Sequence, residues 1–377
     1  MKYVDEFRDP VRARALIGSI GVLADRIMGT RTRALQLMEV CGGHTHAIFR
    51  FGLAGLLPRT IEFVHGPGCP VCVLPMGIVD DCVSIAMRPE VIFATFGDAM
   101  RVPGSRLSLL QAKAAGADVR MVYSPLDALA LTRANPARQV VFFGLGFETT
   151  MPATALTVQQ AEREGIANFS LFCNHITIIP TLRAVLDAPG MQIDGFIGPG
   201  HVSMVIGTAP YRFIAERYRK PLVIAGFEPL DVLQSVWMLL AQIDEGRCEI
   251  ENQYARVAEH EGNAAALAAM AAVFEPRESC EWRGLGSIER SGVRMRERYA
   301  AWDAERRFPL ARQRIADPAA CRCGEVLTGV IKPWQCGLFG KTCTPEQPLG
   351  ALMVSSEGAC AAYIRYARLD ETAEPVA

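Results

Sequence analysis

Three groups of cysteine and histidine residues in this sequence could bind a metal ion or carry out redox chemistry. The chain has 12 cysteines, and seven of them fall in these groups. The first ten residues contain no apolar signal segment, so we expect a reducing, cytoplasmic compartment, where structural disulfides are rare. Clustered cysteines in such a compartment more often bind metal or do redox chemistry. The other five cysteines are scattered: Cys82, Cys173, Cys248, Cys280 and Cys321.

The first group is the sequence CGGHTH at residues 41–46, directly after a predicted strand. Parallel α/β proteins bind ligands just beyond the carboxyl ends of their strands, so a functional loop belongs at this position. Cys41 offers a soft metal donor, and His44 and His46 offer two borderline donors. The alternative is structural, with a buried thiol beside two hydrogen-bonded histidines.

The second group is the sequence GPGCPVC at residues 66–72, in which Cys69 and Cys72 form a CxxC pair. This spacing brings two sulfur atoms within disulfide or chelating range. We expect Cys69 to cap a helix whose first residue is Pro70. A helix N-terminus lowers the pKa of a thiol and favours redox activity. The alternatives are half of a zinc site or two thiols in the apolar core.

The third group consists of Cys323, Cys336, Cys343 and Cys360, which are separated by 12, 6 and 16 residues. Four cysteines in such a short stretch can form a tetrathiolate site, and the glycines and prolines around them let loops wrap a metal. Composition alone does not distinguish tetrahedral zinc from a [4Fe–4S] cluster. Cys321 is a rival ligand, two residues from the first of the four.

Polar residues also follow several other predicted strands. We expect them to face the same cleft as the loop at residues 41–46, with helix capping as the alternative for some of them. They occur in TFGD at 95–98, GFETT at 146–150, NH at 174–175 and GFE at 226–228.

Short apolar runs rich in β-forming residues predict the strands that would position these groups. They lie at residues 35–40, 61–65, 91–96, 119–123, 140–144, 169–173, 195–198 and 222–226. Several runs are continuous rather than alternating, which is typical of parallel strands covered on both faces. Helical patterns lie between them, for example at 107–115, 153–164 and 211–219. The sequence therefore predicts an α/β fold with parallel sheets.

The sequence also matches itself at an offset of 132 residues, with ten identities between window 41–92 and its copy. Composition alone would give about three or four identities. The copy keeps a cysteine at Cys173 but carries isoleucines in place of both histidines, and it has His201 and Met204 in place of the CxxC pair. The fold therefore does not need those reactive residues, unless the match is a coincidence between two glycine-proline turns.

From this repeat we predict two related α/β domains, at residues 31–130 and 131–240. Residues 241–377 differ in texture, with an alanine-rich helical pattern at 255–273 and then the third cysteine group. We predict that they form a third domain, with residues 1–30 packed on it.

Composition excludes several classes of function. Half of the residues are hydrophobic and 21% are charged, as in an ordinary globular protein. The 39 basic and 40 acidic residues give a net charge of -1, which argues against a nucleic-acid or anionic-membrane partner. No run of 18 or more apolar residues is present, which argues against a spanning helix.

Taken together, these motifs resemble the HypD family of hydrogenase formation and maturation proteins over essentially the whole chain. The sequences CGGHTH and GPGCPVC match two motifs of that family, and the spacing of the last four cysteines matches its C-terminal cluster pattern. The segments around residues 97–98, 146–150, 174–175 and 198–201 are also similar to that family. The combination is far more specific than any one motif.

The resemblance implies a [4Fe–4S] cluster on Cys323, Cys336, Cys343 and Cys360, making the third domain an iron–sulfur domain. It implies a scaffold role in building the Fe(CN)2CO unit of [NiFe] hydrogenases rather than a high-turnover enzyme. By this resemblance, Cys41 would be a thiolate ligand of the transient Fe(CN)2CO iron, which it would share with a cysteine of a small HypC-type chaperone. His44 would support that cysteine.

The resemblance further implies that Cys69 and Cys72 form a redox dithiol that exchanges electrons with the cluster, or help to hold iron. The implied partners are the HypC-type chaperone, a HypE-type cyanide donor and, indirectly, the hydrogenase large subunit. An alternative function is an iron–sulfur thiol-disulfide oxidoreductase acting on a protein disulfide, which would need the dithiol and the cluster but not Cys41. A third possibility is a zinc-stabilised binding protein.

Overall fold

The computed structural model describes residues 4–29 and 31–366, and two parallel β-sheets form its framework. Their strands are β1 (Leu35–Glu39), β2 (Ile61–His65), β3 (Val91–Thr95), β4 (Val119–Met121), β5 (Gln139–Gly146), β6 (Phe169–His175), β7 (Gly195–Pro199), β8 (Leu222–Ala225) and β9 (Ile250–Asn252). The first sheet has the order β2-β1-β7-β8-β9, and the second has the order β4-β3-β5-β6. Every neighbouring pair in both sheets is parallel.

Two small antiparallel pairs lie in the C-terminal part of the described chain. β10 (Phe274–Pro276) pairs with β13 (Val293–Met295), and β11 (Ser279–Trp282) pairs with β12 (Gly286–Glu289).

Helices cover the sheets and form much of the C-terminal part. They are α1 (Pro10–Met28), α2 (Gly42–Arg50), α3 (Leu53–Leu56), α4 (Met76–Ala86), α5 (Leu109–Ala114), α6 (Pro125–Ala134), α7 (Met151–Arg163), α8 (Ile178–Leu186), α9 (Gly200–Ile206), α10 (Arg212–Tyr218), α11 (Pro229–Asp244), α12 (Ala264–Val273), α13 (Ala304–Arg307), α14 (Cys323–Leu327) and α15 (Ala359–Tyr366). Short 3₁₀ helices span Asp5–Phe7, Asp98–Arg101, Ala209–Tyr211, Glu297–Trp302, Pro333–Gln335 and Ala351–Met353. Among the helices so described, none combines the length and apolar character needed to cross a bilayer.

The predicted α/β class is confirmed, and each of the eight predicted strands overlaps one of β1 to β8. The apolar runs are continuous because helices cover both faces of the sheets; every side chain of β3 is buried. The sequence did not reveal β9, which has three half-buried residues and no continuous apolar run. The helix expected at 255–273 is shorter, since α12 begins only after Asn263, whose side chain accepts a hydrogen bond from the backbone N–H of Ala266.

The sheets do not follow the predicted segments 31–130 and 131–240. The first sheet combines β1 and β2 with three strands that come after residue 194, and the second takes two strands from each segment. The chain crosses from the first sheet to the second after β2 and returns after β6. A repeat in sequence does not reveal this exchange, because strand pairing depends on contacts between distant segments.

At the offset of 132 residues, β1, β3 and β4 overlap β6, β8 and β9. These three pairs hold equivalent places in the strand orders β1-β7-β8-β9 and β6-β5-β3-β4. The fourth overlap, of β2 with β7, pairs strands that hold different places. The internal repeat therefore stays a prediction.

The N-terminal helix packs differently from the expectation for residues 1–30. Apolar residues of α1, including Ile20 and Ile27, share a core with Val236 and Leu240 of α11, beneath the first sheet. An ion pair between Arg26 and the end of α11 lies at the edge of this contact. The helix thus covers the first sheet rather than the C-terminal cysteine region. Residues 1–3 and 30 lie outside the described residues.

Candidate functional site

A cleft of about 440 Å³ lies where the carboxyl ends of strands from both sheets meet. From the first sheet come the loops after β1, β2 and β7, and from the second come the loops after β3, β4 and β5. Its lining includes Cys41, Gly68, Asp98, Tyr123, Thr149, His201 and Glu357. Such a position suits a ligand site in parallel α/β proteins.

Cys41 stands at the junction between β1 and α2. Its backbone is extended and it occupies the position before the first residue of α2, without a side-chain cap to that helix. The Sγ atom lies 3.8 Å from Nδ1 of His201. Burial, and after it the negative charge of Glu357, raise the pKa of the Cys41 thiol, so the sulfur is protonated until a partner replaces its proton.

A tight turn after β2 supports this loop from behind. The backbone N–H of Gly42 donates to the carbonyl of Gly68 at 3.2 Å. A Cβ on Gly68 would lie 2.2 Å from the backbone nitrogen of Cys41, so only glycine fits. The glycine-proline-glycine turn therefore fixes the backbone that carries Cys41.

A buried carboxylate lies beneath the same loop. Glu39 has no exposed surface, and its Oε2 accepts a hydrogen bond from the backbone N–H of Cys41 at 2.9 Å. Its Oε1 accepts from the hydroxyl of Thr45 and lies 2.8 Å from Nδ1 of His65. Glu39 thus ties together the ends of β1 and β2 and the first turn of α2.

His44 is fully buried and does not line the cleft. Its Nε2 donates to the carbonyls of Ala225 and Gly226 at 3.1 and 3.0 Å, at the end of β8. Its ring stacks on Phe227 with centroids 4.6 Å apart. Burial lowers its pKa, so the imidazole is neutral, and its Nδ1 has no hydrogen-bond partner among the residues that the structure describes. The imidazole beside the Cys41 thiol is therefore that of His201.

His46, the other histidine of this motif, is half-buried and meets the ring of Tyr366 edge-on at 5.8 Å. It does not line the cleft.

Cys69 and Cys72 lie in the core behind the cleft, 4% and 1% exposed. The expected helix N-terminus is absent at this point: the pair lies in a single turn, closed by a hydrogen bond from the Cys72 N–H to the Cys69 carbonyl, and α4 begins at Met76. Burial and a hydrogen bond to Cys69 raise the pKa of Cys72, the opposite of what a helix N-terminus would do. A Cβ on Gly358 would lie 3.0 Å from the Cys72 sulfur.

The third cysteine group surrounds one cavity in the C-terminal part. Five thiols line it together with apolar side chains such as Phe339 and Met353. The five are Cys321, Cys323, Cys336, Cys343 and Cys360. Burial, followed by the charges of neighbouring cysteines, raises the pKa of Cys360. The sulfurs of Cys321 and Cys323 are 3.2 Å apart, so the rival ligand noted in the sequence lies at the same cavity.

The donor set of this cavity fits a metal group bound through sulfur. It consists of thiols within an apolar wall, which suits thiolate ligation. Within residues 4–29 and 31–366, no three or more cysteine, histidine or acidic side chains converge on a single ion position.

The weaker sequence signals divide into two sets. Asp98 and residues 146, 147, 149 and 150 line the cleft as expected. Glu148 does not: it is buried and accepts a hydrogen bond from the backbone N–H of Ile178, at the start of α8. His175 is buried against Thr154, at a distance of 3.2 Å, and Asn174 lines a different cavity.

Some residues of the cleft were not predicted from the sequence. Glu357 is half-buried against Gly42, where a Cβ would come within 2.5 Å of its carboxylate. Ser355 donates a hydrogen bond to Asp98 at 2.7 Å and so joins the C-terminal part to the second sheet. Both lie far along the chain from the strand ends that they face. The one signal in the sequence for a functional role of Ser355 and Glu357 was their position a few residues before Cys360.

Comparisons with known proteins agree with these motifs. A family model named HypD, described as "Hydrogenase formation hypA family", matches residues 14–367. A protein named "Hydrogenase maturation factor HypD" from Rhodobacter capsulatus is 64% identical over 370 residues, which cover 97% of this chain and 98% of that protein. Its namesake from Escherichia coli K12 is 59% identical over 373 residues, 99% of this chain and 100% of the relative. Another, from Cupriavidus necator, is 48% identical over 378 residues, 98% of each chain.

Proposed function

This chain belongs to the HypD family of hydrogenase maturation factors, and from that premise we propose that it is the redox-active scaffold on which the Fe(CN)2CO unit of [NiFe] hydrogenases is assembled. The observation that carries the proposal is the position of Cys41. It is the one thiol among the residues that line the described cleft between the two sheets. An iron that carries cyanide and carbonyl needs a soft sulfur ligand in a protected cleft during its assembly.

In this function Cys41 binds the iron cargo through Sγ and gives up its thiol proton when it does so. Glu39 holds the backbone of that cysteine in place by accepting a hydrogen bond from its N–H. The turn at Gly68 packs directly against the same backbone and restricts its movement. The cleft walls limit the access of bulk water to the sulfur, because the Cys41 residue is only 7% exposed. Each of these roles belongs to this chain's own residues.

The partners of the scaffold are other maturation factors. We assign to the cleft a HypC-type chaperone, whose thiolate would share the iron, and a HypE-type cyanide donor that delivers to the same place. Met121 and Tyr123 line the cleft and are 49% and 85% exposed, so they offer apolar contact area for a docking protein. The hydrogenase large subunit would be served indirectly, through the chaperone.

A [4Fe–4S] cluster would be held by Cys323, Cys336, Cys343 and Cys360. Four thiols at one cavity with an apolar wall are the donors that such a cluster takes, and the family resemblance favours the cluster over zinc. Such a cluster supplies one-electron transfer when bound.

Cys69 and Cys72 would form the dithiol that works with this cluster. The cysteine pair and the cluster cysteines belong to one continuous apolar core, and the charge of Cys323 contributes to the raised pKa of Cys72. The same proximity supports the second candidate function, an iron–sulfur oxidoreductase that reduces a protein disulfide. The two candidates differ in their need for Cys41.

The first experiment replaces Cys41 by alanine in a hydrogenase-producing strain that lacks its own copy of this gene. We expect no mature [NiFe] hydrogenase, together with unchanged visible absorption of the purified variant. Cys248→Ala is the matched control, because Cys248 lies outside the cleft and the cysteine cavity. Maturation that survives Cys41→Ala would exclude the scaffold and leave the oxidoreductase.

A second measurement concerns the cofactor. Anaerobic purification followed by metal and sulfide analysis should give about four irons and four sulfides per chain, with broad absorption in the visible range. Stoichiometric zinc in a colourless protein would instead make the C-terminal cysteines a structural clip.

A further inference from the structure

One imidazole, that of His201, faces the Cys41 sulfur across the cleft. Nδ1 of His201 is 3.8 Å from the Cys41 Sγ, a contact that joins residues 160 positions apart in sequence. Both residues line the same cleft and come from neighbouring strands of the first sheet. Cys41 follows β1, and His201 is the second residue of α9, directly after β7.

The orientation of the His201 ring is fixed by stacking. Its ring lies 3.8 Å from that of Phe227 with an interplanar angle of 19°, and Phe227 in turn stacks on His44. Space for this stack depends on Gly43, where a Cβ would lie 2.9 Å from the Phe227 ring and 3.3 Å from the His201 ring. The imidazole is thus held in one direction before any ligand arrives, which reduces the entropy lost on binding.

We propose that His201 is the second protein ligand of the iron that Cys41 holds, and that it binds through Nδ1. This inference rests on the scaffold function proposed above and specifies its cargo site. Binding replaces the Cys41 thiol proton, which leaves to solvent, and it transfers no electron.

The observed separation is compatible with two ligands on one metal. With metal–sulfur and metal–nitrogen bonds of about 2.3 and 2.1 Å, a tetrahedral angle places the two donors about 3.6 Å apart. Adjacent octahedral positions at the same bond lengths lie about 3.1 Å apart. The 3.8 Å contact therefore fits the first geometry almost unchanged, and it reaches the second by a shift of less than about 1 Å.

Two protein donors also suit the cargo better than a closed site would. A six-coordinate iron with two cyanides and one carbonyl has three positions left. Cys41 and His201 would fill two, and the third is free for the thiolate of a chaperone. Because only two protein donors would hold the iron, it would remain able to leave.

The repeat in the sequence places His201 at an informative position. At the offset of 132 residues it falls on Cys69, the first cysteine of the CxxC pair, after the same glycine-proline-glycine turn. One copy of the turn therefore leads to a thiol in the core, and the other leads to an imidazole in the cleft.

The test titrates Co(II), a spectroscopic probe for iron, into the anaerobically purified full chain with its own metal groups in place. The signal is the difference between the wild type and Cys41→Ala in thiolate-to-cobalt charge transfer and in the d–d bands. The decisive variant is His201→Phe, which keeps an aromatic ring on Phe227 but removes the nitrogen. His260→Phe is the matched control, because that imidazole is 64% exposed and outside the cleft.

We expect His201→Phe to weaken the Cys41-dependent binding of Co(II) at least about tenfold and to shift the d–d bands, since a metal site that loses a supporting group already loses that much. His260→Phe should titrate like the wild type. Far-UV circular dichroism and the visible absorption of the metal-loaded protein report whether each variant is folded.

Two outcomes overturn the inference, and they are distinguishable. If folded His201→Phe binds Co(II) as the wild type does while Cys41→Ala does not, His201 is no ligand and the scaffold function stands. If Cys41→Ala and the wild type give the same titration, Cys41 holds no metal, and the proposed function fails together with the inference.

Discussion

Replacing Glu39 by glutamine tests whether the buried carboxylate beneath the cleft positions Cys41. A carboxylate only accepts hydrogen bonds, and Glu39 accepts from the Cys41 N–H and the Thr45 hydroxyl while facing Nδ1 of His65. Glutamine has the same shape, but its NH₂ group is a donor. If the NH₂ group turns towards Cys41, it faces the backbone N–H, donor to donor. If it turns the other way, the Thr45 hydroxyl and Nδ1 of His65 must change from donors to acceptors.

The magnitude follows from these contacts. If the amide oxygen stays with Thr45 and His65, the Cys41 N–H loses its partner, which costs about 1–3 kcal/mol in a buried site. Loss of the charge on the remaining hydrogen bonds adds about 1 kcal/mol, because charge-assisted bonds are roughly twice as strong as neutral ones. No cavity is created, so the free energy of unfolding should fall by about 2–4 kcal/mol.

The assay is the thermal unfolding midpoint of the anaerobic full-length protein, read together with hydrogenase maturation in the strain described above. At an unfolding entropy of about 2.1 cal/mol/K per residue, a chain of 377 residues shifts by about 1–1.5 °C per kcal/mol, so the midpoint should fall by about 2–5 °C. The released N–H lies at the start of α2, so we also expect maturation to drop while the visible absorption is unchanged.

Glu62→Gln provides the matched control on the neighbouring strand. Glu62 is 40% exposed and pairs with Lys332 at 3.3 Å, a surface ion pair that contributes about 0–1 kcal/mol. If Glu39→Gln lowers the midpoint no more than Glu62→Gln does, and maturation proceeds normally, Glu39 does not position Cys41 and the reasoning is wrong.

Three further variants test other parts of the structure. Gly68→Ala places a Cβ 2.2 Å from backbone atoms, which lowers the free energy of unfolding by about 1–3 kcal/mol or more. Both the thermal midpoint and hydrogenase maturation should therefore fall. The control Gly55→Ala should change neither, because its Cβ would have no atom within 4 Å. Burial raises the pKa of Glu148 to about 7 from 4.5. The stability that its protonated form contributes is therefore fully present below pH 4.5 and is lost as the pH rises through 7. Glutamine does not titrate, so from pH 5 to pH 8 the free energy of unfolding of Glu148→Gln should rise relative to that of the wild type by up to about 3 kcal/mol, and an equal difference in midpoint at both pH values would contradict this. Cys336→Ala should abolish the visible absorption that Cys248→Ala retains, and retention of the full spectrum by both would remove Cys336 from the ligand set.

Local pattern predicted much of the framework. Continuous apolar runs between glycine- and proline-rich turns located β1 to β8, because a strand buried on both faces needs apolar side chains at every position. The same logic placed Cys41 at a strand end and therefore in a cleft. It failed where neighbouring residues carry no such signal, as in the short β9 and in the turn that separates Cys69 from α4.

The strand order was beyond the reach of pattern. Residues 31–130 and 131–240 looked like separate domains because the repeat is continuous in sequence, yet β1 pairs with β7 and β3 pairs with β5. Which strands pair is decided by the burial that the whole set of crossovers achieves, and no local segment records it.

The sequence by itself determined the inventory of this protein: the parallel α/β class, the three cysteine groups, and the family that their combined spacing identifies. The tertiary structure alone decided what each group faces. It turned His44 towards the end of β8, brought His201 to the Cys41 sulfur, and set Glu39 beneath it. The physical reason is that residue type and spacing specify the donors a chain possesses, whereas the distances between donors arise only when distant segments bury their apolar surfaces together.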